Sequence, residues 1–220
     1  MKVTYADVVK DETAKTYIKK ADETLIALGY TEHSFAHVTR VAMLASDILL
    51  TLGYSEREAE LAKMAGYLHD IGNVINRIDH AQSGAVMAFR ILDNMGADPE
   101  DIATIVTAIG NHDEGTGVPV NAVAAALILA DKADVRWSRV RNKDISTFDI
   151  HDRVNYSVKH SALQINEEKT QVCLTLSIDN QFGSVMDYFE IFMERTMLSK
   201  YAAKYLKIWF ELVINDTRLL

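Results

Sequence analysis

Histidine is the residue type whose placement first suggests chemistry in this chain, because five of the seven histidines lie between His33 and His112. Imidazole is a frequent ligand of transition metals and a frequent general acid or base near neutral pH. Three histidines are followed directly by aspartate, at His69-Asp70, His112-Asp113 and His151-Asp152. Such a short pair carries little weight by itself, so the surrounding sequence must show which pairs belong to a site.

The pair His69-Asp70 has the most informative surroundings. Apolar residues precede it (Ala65, Tyr67 and Leu68), and Ile71-Gly72 follows it. This pattern predicts a helix that ends at the pair, with both side chains buried at the helix terminus. A buried imidazole beside a buried carboxylate needs polar partners.

A second polar group in apolar surroundings is Asp131, which closes the apolar run Ala122–Ala130. Burying an isolated carboxylate costs several kcal/mol unless a cation pairs with it. A metal ion is an efficient partner of this kind. The alternative partners are Lys132, Arg136 or a helix end.

Three further histidines interrupt apolar or helical sequence, at His37, His80 and His112. His80 could instead be a loop residue that contacts solvent, and His112 could cap the C-terminal end of a helix through the helix dipole. The occurrence of both in order along the chain favours a site with two metal ions.

These residues occur in an order that resembles the HD superfamily of metal-dependent phosphohydrolases, over roughly Thr31 to Arg141. Four residues match the superfamily's metal-ligand pattern: His37, His69, Asp70 and Asp131. His80 and His112 correspond to the extra pair in the branches that carry two ions, and this implies that Asp70 bridges the ions. The resemblance implies hydrolysis of a phosphomonoester or phosphoanhydride by a hydroxide bound to one or two divalent ions, from Fe, Mn, Co, Ni or Zn, and the extra histidine pair favours two ions per chain.

Two branches of the superfamily can be compared in more detail. The segment Asn111–Pro119 is similar to a shortened cyclic-di-GMP phosphodiesterase signature, but Asn111 replaces a histidine, Val118 replaces a tyrosine and two residues are missing. The segments around His80, His112 and Asp131 are closer to the bacterial HD-type diadenosine tetraphosphate hydrolases. That resemblance implies a di-iron site and a nucleotide substrate. It does not account for the C-terminal part of this chain.

Basic residues near the motifs are candidates for binding phosphate. Lys132 and Arg136 follow Asp131 directly, and a helix continuing through them would place Arg136 and Arg139 on one face. A solvated basic face paired with acidic neighbours is the alternative. Arg77 lies between two ligand motifs and is a further candidate. We therefore assign catalytic roles to Asp70, Arg77, Lys132 and Arg136.

Two other functions remain open at this stage. The same ligand types serve mixed-valent di-iron oxygenases in a minority branch of the superfamily. A non-catalytic module that senses nucleotides around a structural metal core is the third reading.

The elements that must position these residues are predicted to be mainly α-helical, because only ten glycines and two prolines occur in 220 residues. The apolar spacing and capping residues predict six helices before residue 136, listed by their approximate bounds as Tyr5–Leu28, Thr31–Gly53, Ser55–Gly72, Ala81–Met95, Pro99–His112 and Asn121–Val135. We expect a helical HD bundle over residues 1–150.

The pattern changes in residues 151–220, which we call the C-terminal annex. Partial alternation over Val154–Ile165 and β-branched residues over Thr170–Ile178 predict a hairpin. A helix over Ser184–Tyr205 and a strand over Ile208–Ile214 complete a ββαβ unit. We expect the annex to pack on the bundle or to form a homodimer.

Composition limits the possible partners. The formal net charge of −8 argues against binding a nucleic-acid polymer, but a small phosphorylated substrate, such as a nucleotide, remains compatible with a local basic pocket. Cys173 is the single cysteine and forms no internal disulfide. No apolar run reaches the roughly 20 residues of a membrane span, Ala122–Ala130 being the best candidate. We expect a cytoplasmic protein that does not associate with membranes.

Overall fold

The computed structural model describes residues 2–220. Within this range the chain forms nine α-helices and four β-strands. The helices are α1 (Tyr5–Lys10), α2 (Glu12–Ala27), α3 (Phe35–Leu52), α4 (Glu56–Leu68), α5 (His80–Asn94), α6 (Pro99–Gly110), α7 (Ala122–Lys132), α8 (Ile150–Ser157) and α9 (Val185–Tyr205). The strands are β1 (Val158–Ile165), β2 (Gln171–Ile178), β3 (Trp209–Ile214) and β4 (Thr217–Arg218).

A helical bundle with α3, α4 and α7 at its centre forms the first part of the chain. Helix α7 is apolar on every side from Ala122 to Ala130, and each of its residues from Val123 to Lys132 is buried. The neighbouring helices supply the apolar surface that such a helix requires. The fold class, a mainly helical bundle followed by a small α+β unit, is confirmed.

Local capping residues begin and end the helices largely where the sequence predicts. Ser55 and Glu58 form the predicted capping box at the start of α4. Pro99 occupies the first turn of α6 behind the Asp98 cap, and Gly53 ends α3 in the left-handed conformation. These caps determine the helix ends that carry the polar residues of the site.

Three predicted elements differ from the structure. Asp11 divides the first helix in two, because its side chain accepts a hydrogen bond from the Ala14 amide and so caps α2. Helix α7 ends at Lys132, so Arg136 and Arg139 do not lie on a continuing helix. Residues 154–157 belong to α8 rather than to the start of a strand, because Asp149 caps this helix by accepting a hydrogen bond from the Asp152 amide.

The annex contains the predicted ββαβ unit, extended by the short strand β4. Its strand order is β1-β2-β3-β4, with β2 and β3 parallel and the other neighbouring pairs antiparallel. Helix α9 connects the two parallel strands. Alternate residues of β2 are buried, and they belong to the same apolar cluster as the bundle core. The annex therefore packs directly on the helical part, while the division at residue 150 stays a prediction.

By length and composition alone, one helix in residues 2–220 could cross a membrane, and it is α3 rather than Ala122–Ala130, which is the best candidate by sequence but too short. In this structure 44% of its apolar window is buried, and the helix carries His37. The core helix of a folded domain meets the same criteria.

The contact between α3 and α4 generates a prediction at Gly66. A Cβ atom at this position would lie 2.7 Å from the Ala42 Cα and 2.8 Å from the Ala42 amide nitrogen. We expect Gly66→Ala to lower the free energy of unfolding by about 1–3 kcal/mol, because two helix backbones must separate. Chemical denaturation would measure the change.

Gly110→Ala is the matched control, because a Cβ there meets only the Ala85 side chain at an ordinary 3.7 Å. We expect this variant to lose no stability. Equal stability of Gly66→Ala and the parent protein would contradict the close approach of α3 and α4.

Candidate metal centre

The six predicted metal ligands converge from five helices of the bundle. His37 lies in the first turn of α3, His69 and Asp70 directly follow α4, His80 begins α5, His112 follows α6, and Asp131 lies near the end of α7. None of the six residues is more than 6% exposed. The structure therefore brings together all six side chains, which are spread over 95 positions of the sequence.

Close backbone packing helps to bring two of these segments together. Asp70 follows the helix end at φ −95° and ψ 0°, and a 3-10 turn over Ile71–Val74 then passes against α5. A Cβ at Gly72 would lie 2.0 Å from the His80 carbonyl oxygen. The absence of a side chain at Gly72 thus allows the turn after Asp70 to contact the start of α5.

The Nε2 atoms of the histidines face the carboxylates at the centre. His37 Nε2 lies 3.4 Å from Asp131 Oδ1 and 3.6 Å from Asp70 Oδ2. His69 Nε2 lies 3.2 Å from Asp70 Oδ2, and His80 Nε2 lies 3.6 Å from Asp70 Oδ1. His112 Nε2 is 3.2 Å from His80 Nε2. Asp70 thus lies between the histidines of both predicted sites.

The opposite nitrogen, Nδ1, of each of these histidines faces a fixed oxygen. His69, His80 and His112 each have the carbonyl oxygen three residues upstream within 2.6–3.0 Å of Nδ1. His37 Nδ1 is 2.8 Å from Asp134 Oδ2. An oxygen at this position accepts a proton from Nδ1, so neutral rings present a lone pair at Nε2.

This arrangement leaves electron pairs directed at one another in a buried space. The Nε2 atoms of His80 and His112 face each other at 3.2 Å. His37 Nε2, His69 Nε2 and Asp70 Oδ2 are buried without any hydrogen-bond partner. Buried polar atoms are normally satisfied, and a cation would satisfy all of these at once. The donor set therefore fits a divalent metal.

The electrostatics of the two carboxylates and of His112 favour the charge states that bind metal, whereas Asp70 and Asp131 outweigh burial at His69 and raise its pKa. Burial acts to raise the pKa of Asp131, but Lys132 and the nearby histidines outweigh it and hold that pKa well below its usual range. The pKa of Asp70 is likewise well below its usual range, because His69 and other imidazoles outweigh burial. Burial, aided by His69, lowers the pKa of His112. Ionised carboxylates and a neutral imidazole are metal ligands.

Three overlapping groups of these residues have ligand atoms within 4.8 Å of one another. They are His37-His69-Asp70, His69-His112-Asp131 and Asp70-His80-His112. Asp70 belongs to the first and the third group, which is compatible with the predicted bridging role, and His69 and His112 also belong to two groups each. The geometry is compatible with two ions. The number of ions stays a prediction.

The predicted phosphate-binding residues lie in different surroundings. Arg77 lines a cleft of about 500 Å³ beside the centre and forms no ion pair with any described residue. Lys132 is buried, with Nζ 2.7 Å from Asp131 Oδ2. Arg136 does not line the cleft. Arg136 binds Asp134, Glu32 and Ser138, which occupy its guanidinium group.

Three residues of the site were not assigned from the sequence: Asp134, Glu114 and Arg195. Asp134 belongs to the segment that matches the superfamily, and a second carboxylate soon after Asp131 was the available signal. Glu114 accepts from Arg195 at 2.9 Å and lies 3.1 Å from Lys132. No local pattern pairs two residues 81 positions apart.

The cleft beside the centre has walls from both parts of the chain. Tyr30, His33 and Arg77 belong to the bundle, and Phe192 and Arg195 belong to α9. The exposed ring of Tyr30 lies 5.8 Å from the Arg77 guanidinium carbon. The cleft thus combines an arginine that has no ion-pair partner among the described residues with aromatic surface next to the candidate ligands.

Comparison with known proteins identifies the class to which this fold and site belong. Residues 34–154, more than half of the chain, match the HD domain family, and the chain belongs to that family. The match extends past the predicted Arg141 limit into α8.

Individual relatives give the following similarities. An uncharacterized protein of Methanocaldococcus jannaschii, MJ1020, is 26% identical over 206 residues, which cover 83% of this chain and 78% of that protein. Ribonuclease Y of Aliarcobacter butzleri is 28% identical over 149 residues, covering 64% of this chain but 27% of the ribonuclease. The crystal structure of a predicted HD superfamily hydrolase from an uncultured Thermotogales bacterium is 26% identical, with a TM-score of 0.45 over 56% of this chain and 67% of that one.

The His37–Asp134 contact generates a prediction about metal affinity. Asp134→Asn removes the carboxylate that fixes the proton on His37 Nδ1. Loss of such an outer partner weakens metal binding about 10–100-fold. Titration of chelator-treated protein with Mn²⁺ or Co²⁺ would measure the change, and circular dichroism would check the fold.

Asp47→Asn is the control, because Asp47 is an exposed carboxylate on the same helix as His37. Its metal affinity should equal that of the parent protein. The role assigned to Asp134 would be wrong if both variants bound metal equally well.

Proposed function

We propose that the protein is a metal-dependent phosphohydrolase that cleaves a phosphomonoester or phosphoanhydride of a small molecule, a nucleotide in particular. The observation that carries the proposal is the buried set of four imidazole Nε2 atoms and two carboxylates, with no internal partners for three of its atoms. Membership of the HD domain family supports the same reaction class.

The ligand set suits Fe, Mn, Co, Ni or Zn, and we propose that two such ions bind per chain. When bound, divalent ions supply an activated water near neutral pH and withdraw charge from a phosphoryl oxygen. His37, His69, Asp70, His80, His112 and Asp131 would hold the ions. The histidine Nδ1 contacts orient these ligands before any ion binds, which reduces the reorganisation that binding requires.

Arg77 is the residue best placed to bind the phosphate of the substrate. Its guanidinium lies 3.2 Å from His80 Nε2, where it lines the cleft beside the centre. A guanidinium presents several N–H donors to phosphate oxygens. Tyr30 lies beside Arg77 and offers a ring for stacking on a nucleobase. Lys132 instead neutralises Asp131, which it contacts at 2.7 Å.

The overall charge supports a small substrate rather than a nucleic-acid polymer. The formal net charge of −8 repels an extended polyphosphate. A small substrate needs only local cations, and Arg77 lines the cleft. A cytoplasmic location without membrane association, and a homodimer formed through the annex, remain proposals.

The central test concerns Asp70. Asp70→Ala removes a carboxylate shared by two of the three ligand groups. We expect this variant to lose both bound metal and phosphate release, measured by elemental analysis of chelator-free protein and by a phosphate assay on nucleotides. His160→Ala is the control, because His160 is exposed in β1.

Two outcomes would overturn this proposal. Full phosphate release by metal-free Asp70→Ala protein would show that the site does not perform the reaction. Oxygen uptake without phosphate release by the metal-loaded parent protein would assign it to the oxygenases.

A second prediction concerns Arg77. We expect Arg77→Ala to lower kcat/KM about 10–100-fold, mainly through KM, because it removes a charge-assisted contact worth about 1.5–3 kcal/mol. Arg90→Ala, which changes an exposed arginine of α5, should leave the kinetics unchanged. An unchanged KM for Arg77→Ala would exclude phosphate binding by this residue.

A further inference from the structure

A chain of alternating charges leads from the metal centre to the annex. Asp131 Oδ2 lies 2.7 Å from Lys132 Nζ, which lies 3.1 Å from Glu114 Oε1. The same Glu114 oxygen accepts from Arg195 Nε at 2.9 Å. We call these four residues the charge chain. Arg195 lies on α9, outside the HD domain match.

Lys132 determines which oxygen of Asp131 can bind metal. Its ammonium group occupies Oδ2, while Oδ1 faces His37 Nε2 at 3.4 Å and His69 Nε2 at 3.7 Å. Asp131 therefore presents a single oxygen to the centre. A Lys132 that moved would change either the direction or the availability of this ligand.

Glu114 holds Lys132 in place from the other side. The Lys132 side chain is only 3% exposed, and a buried ammonium is costly without counter-charges. Asp131 and Glu114 together supply these charges. Without Glu114, Lys132 would have Asp131 as its remaining anionic partner and would compete with metal for it.

Arg195 in turn holds the Glu114 carboxylate next to Lys132. Glu114 lines the open cleft, where its carboxylate could otherwise turn towards water. The Arg195 side chain is 15% exposed, binds Glu114 and packs its guanidinium 4.6 Å from the centre of the Phe192 ring. The ring limits the directions in which the arginine can point.

We infer that Arg195 is a positioning residue of the metal centre, which acts through Glu114 and Lys132 to direct Asp131 Oδ1 towards the bound ion. The annex then completes the metal centre in addition to forming one wall of the cleft. This inference rests on the metal centre proposed above.

Positioning and simple electrostatics predict opposite effects of removing Arg195. Removing a positive charge near the centre should tighten the binding of a cation by Coulomb's law. Loss of positioning should weaken binding, because Glu114 is released and Lys132 competes for Asp131. The sign of the change in affinity therefore distinguishes the two.

The experiment compares Arg195→Met, Arg195→Lys and Glu114→Gln with the parent protein. Chelator-treated protein is titrated with Co²⁺, and both the dissociation constant and the visible absorption spectrum of the bound ion are recorded. We expect Arg195→Met and Glu114→Gln to bind about tenfold more weakly with altered spectra, and Arg195→Lys to recover part of the affinity. Lys200→Met is the control, since it removes an exposed positive charge from the same helix.

The double variant Arg195→Met/Glu114→Gln tests whether the two residues act through one path. We expect its affinity for Co²⁺ to equal that of the single variant with the lower affinity, because the losses caused by residues that act in series do not add. Fully additive losses would contradict the charge chain. If Arg195→Met does not fold by circular dichroism, Arg195→Lys carries the test, because it keeps the positive charge and changes only the geometry of the contact with Glu114, so that a weaker affinity and an altered spectrum come from positioning.

Affinity and spectrum of Arg195→Met equal to those of the parent, or a tighter affinity, would overturn the inference while leaving the metal centre intact. A parent protein that binds no divalent metal would instead overturn the metal centre itself. The two failures are therefore distinguishable.

Discussion

The candidate site depends on one repeated interaction, in which a fixed oxygen beside Nδ1 of a buried histidine leaves Nε2 free to face inward. At His69, His80 and His112 this oxygen is a backbone carbonyl three residues upstream. A local turn of backbone therefore sets the tautomer and the ring direction together. His37 lies inside the first turn of α3 and receives the corresponding contact from Asp134, far away in the sequence.

Burial removes these nitrogen and oxygen atoms from water, so they need another partner. Electron pairs that face one another in water would be solvated, but the same pairs at the centre of a helical bundle have no solvent to satisfy them. Apolar helices such as α7 exclude water, and the polar side chains of the site lie at the helix ends. The packing that stabilises the bundle therefore also leaves buried polar atoms at its centre that a cation would satisfy.

Much of this site could be predicted from the sequence, because its ligands carry local signals. His69-Asp70 at a predicted helix end and Asp131 after an apolar run both indicate buried polar groups. Arg136 shows the limit of such reasoning. A helix that stops at Lys132 rather than Val135 turns Arg136 towards Asp134 and Glu32, and periodicity alone does not determine helix ends to within a few residues.

The candidate ligand types, their order, the helical class and the ββαβ content of the annex follow from the sequence alone, because each of these is encoded by residues within a turn or two of one another. The contact of Asp134 with His37, the position of Arg77 on a cleft wall and the contact of Arg195 with Glu114 arise only when the separate elements pack together. These contacts join residues that are far apart in the chain or depend on how separate elements pack. Their geometry follows from the packing of the annex and the helices into one core, which no local pattern specifies.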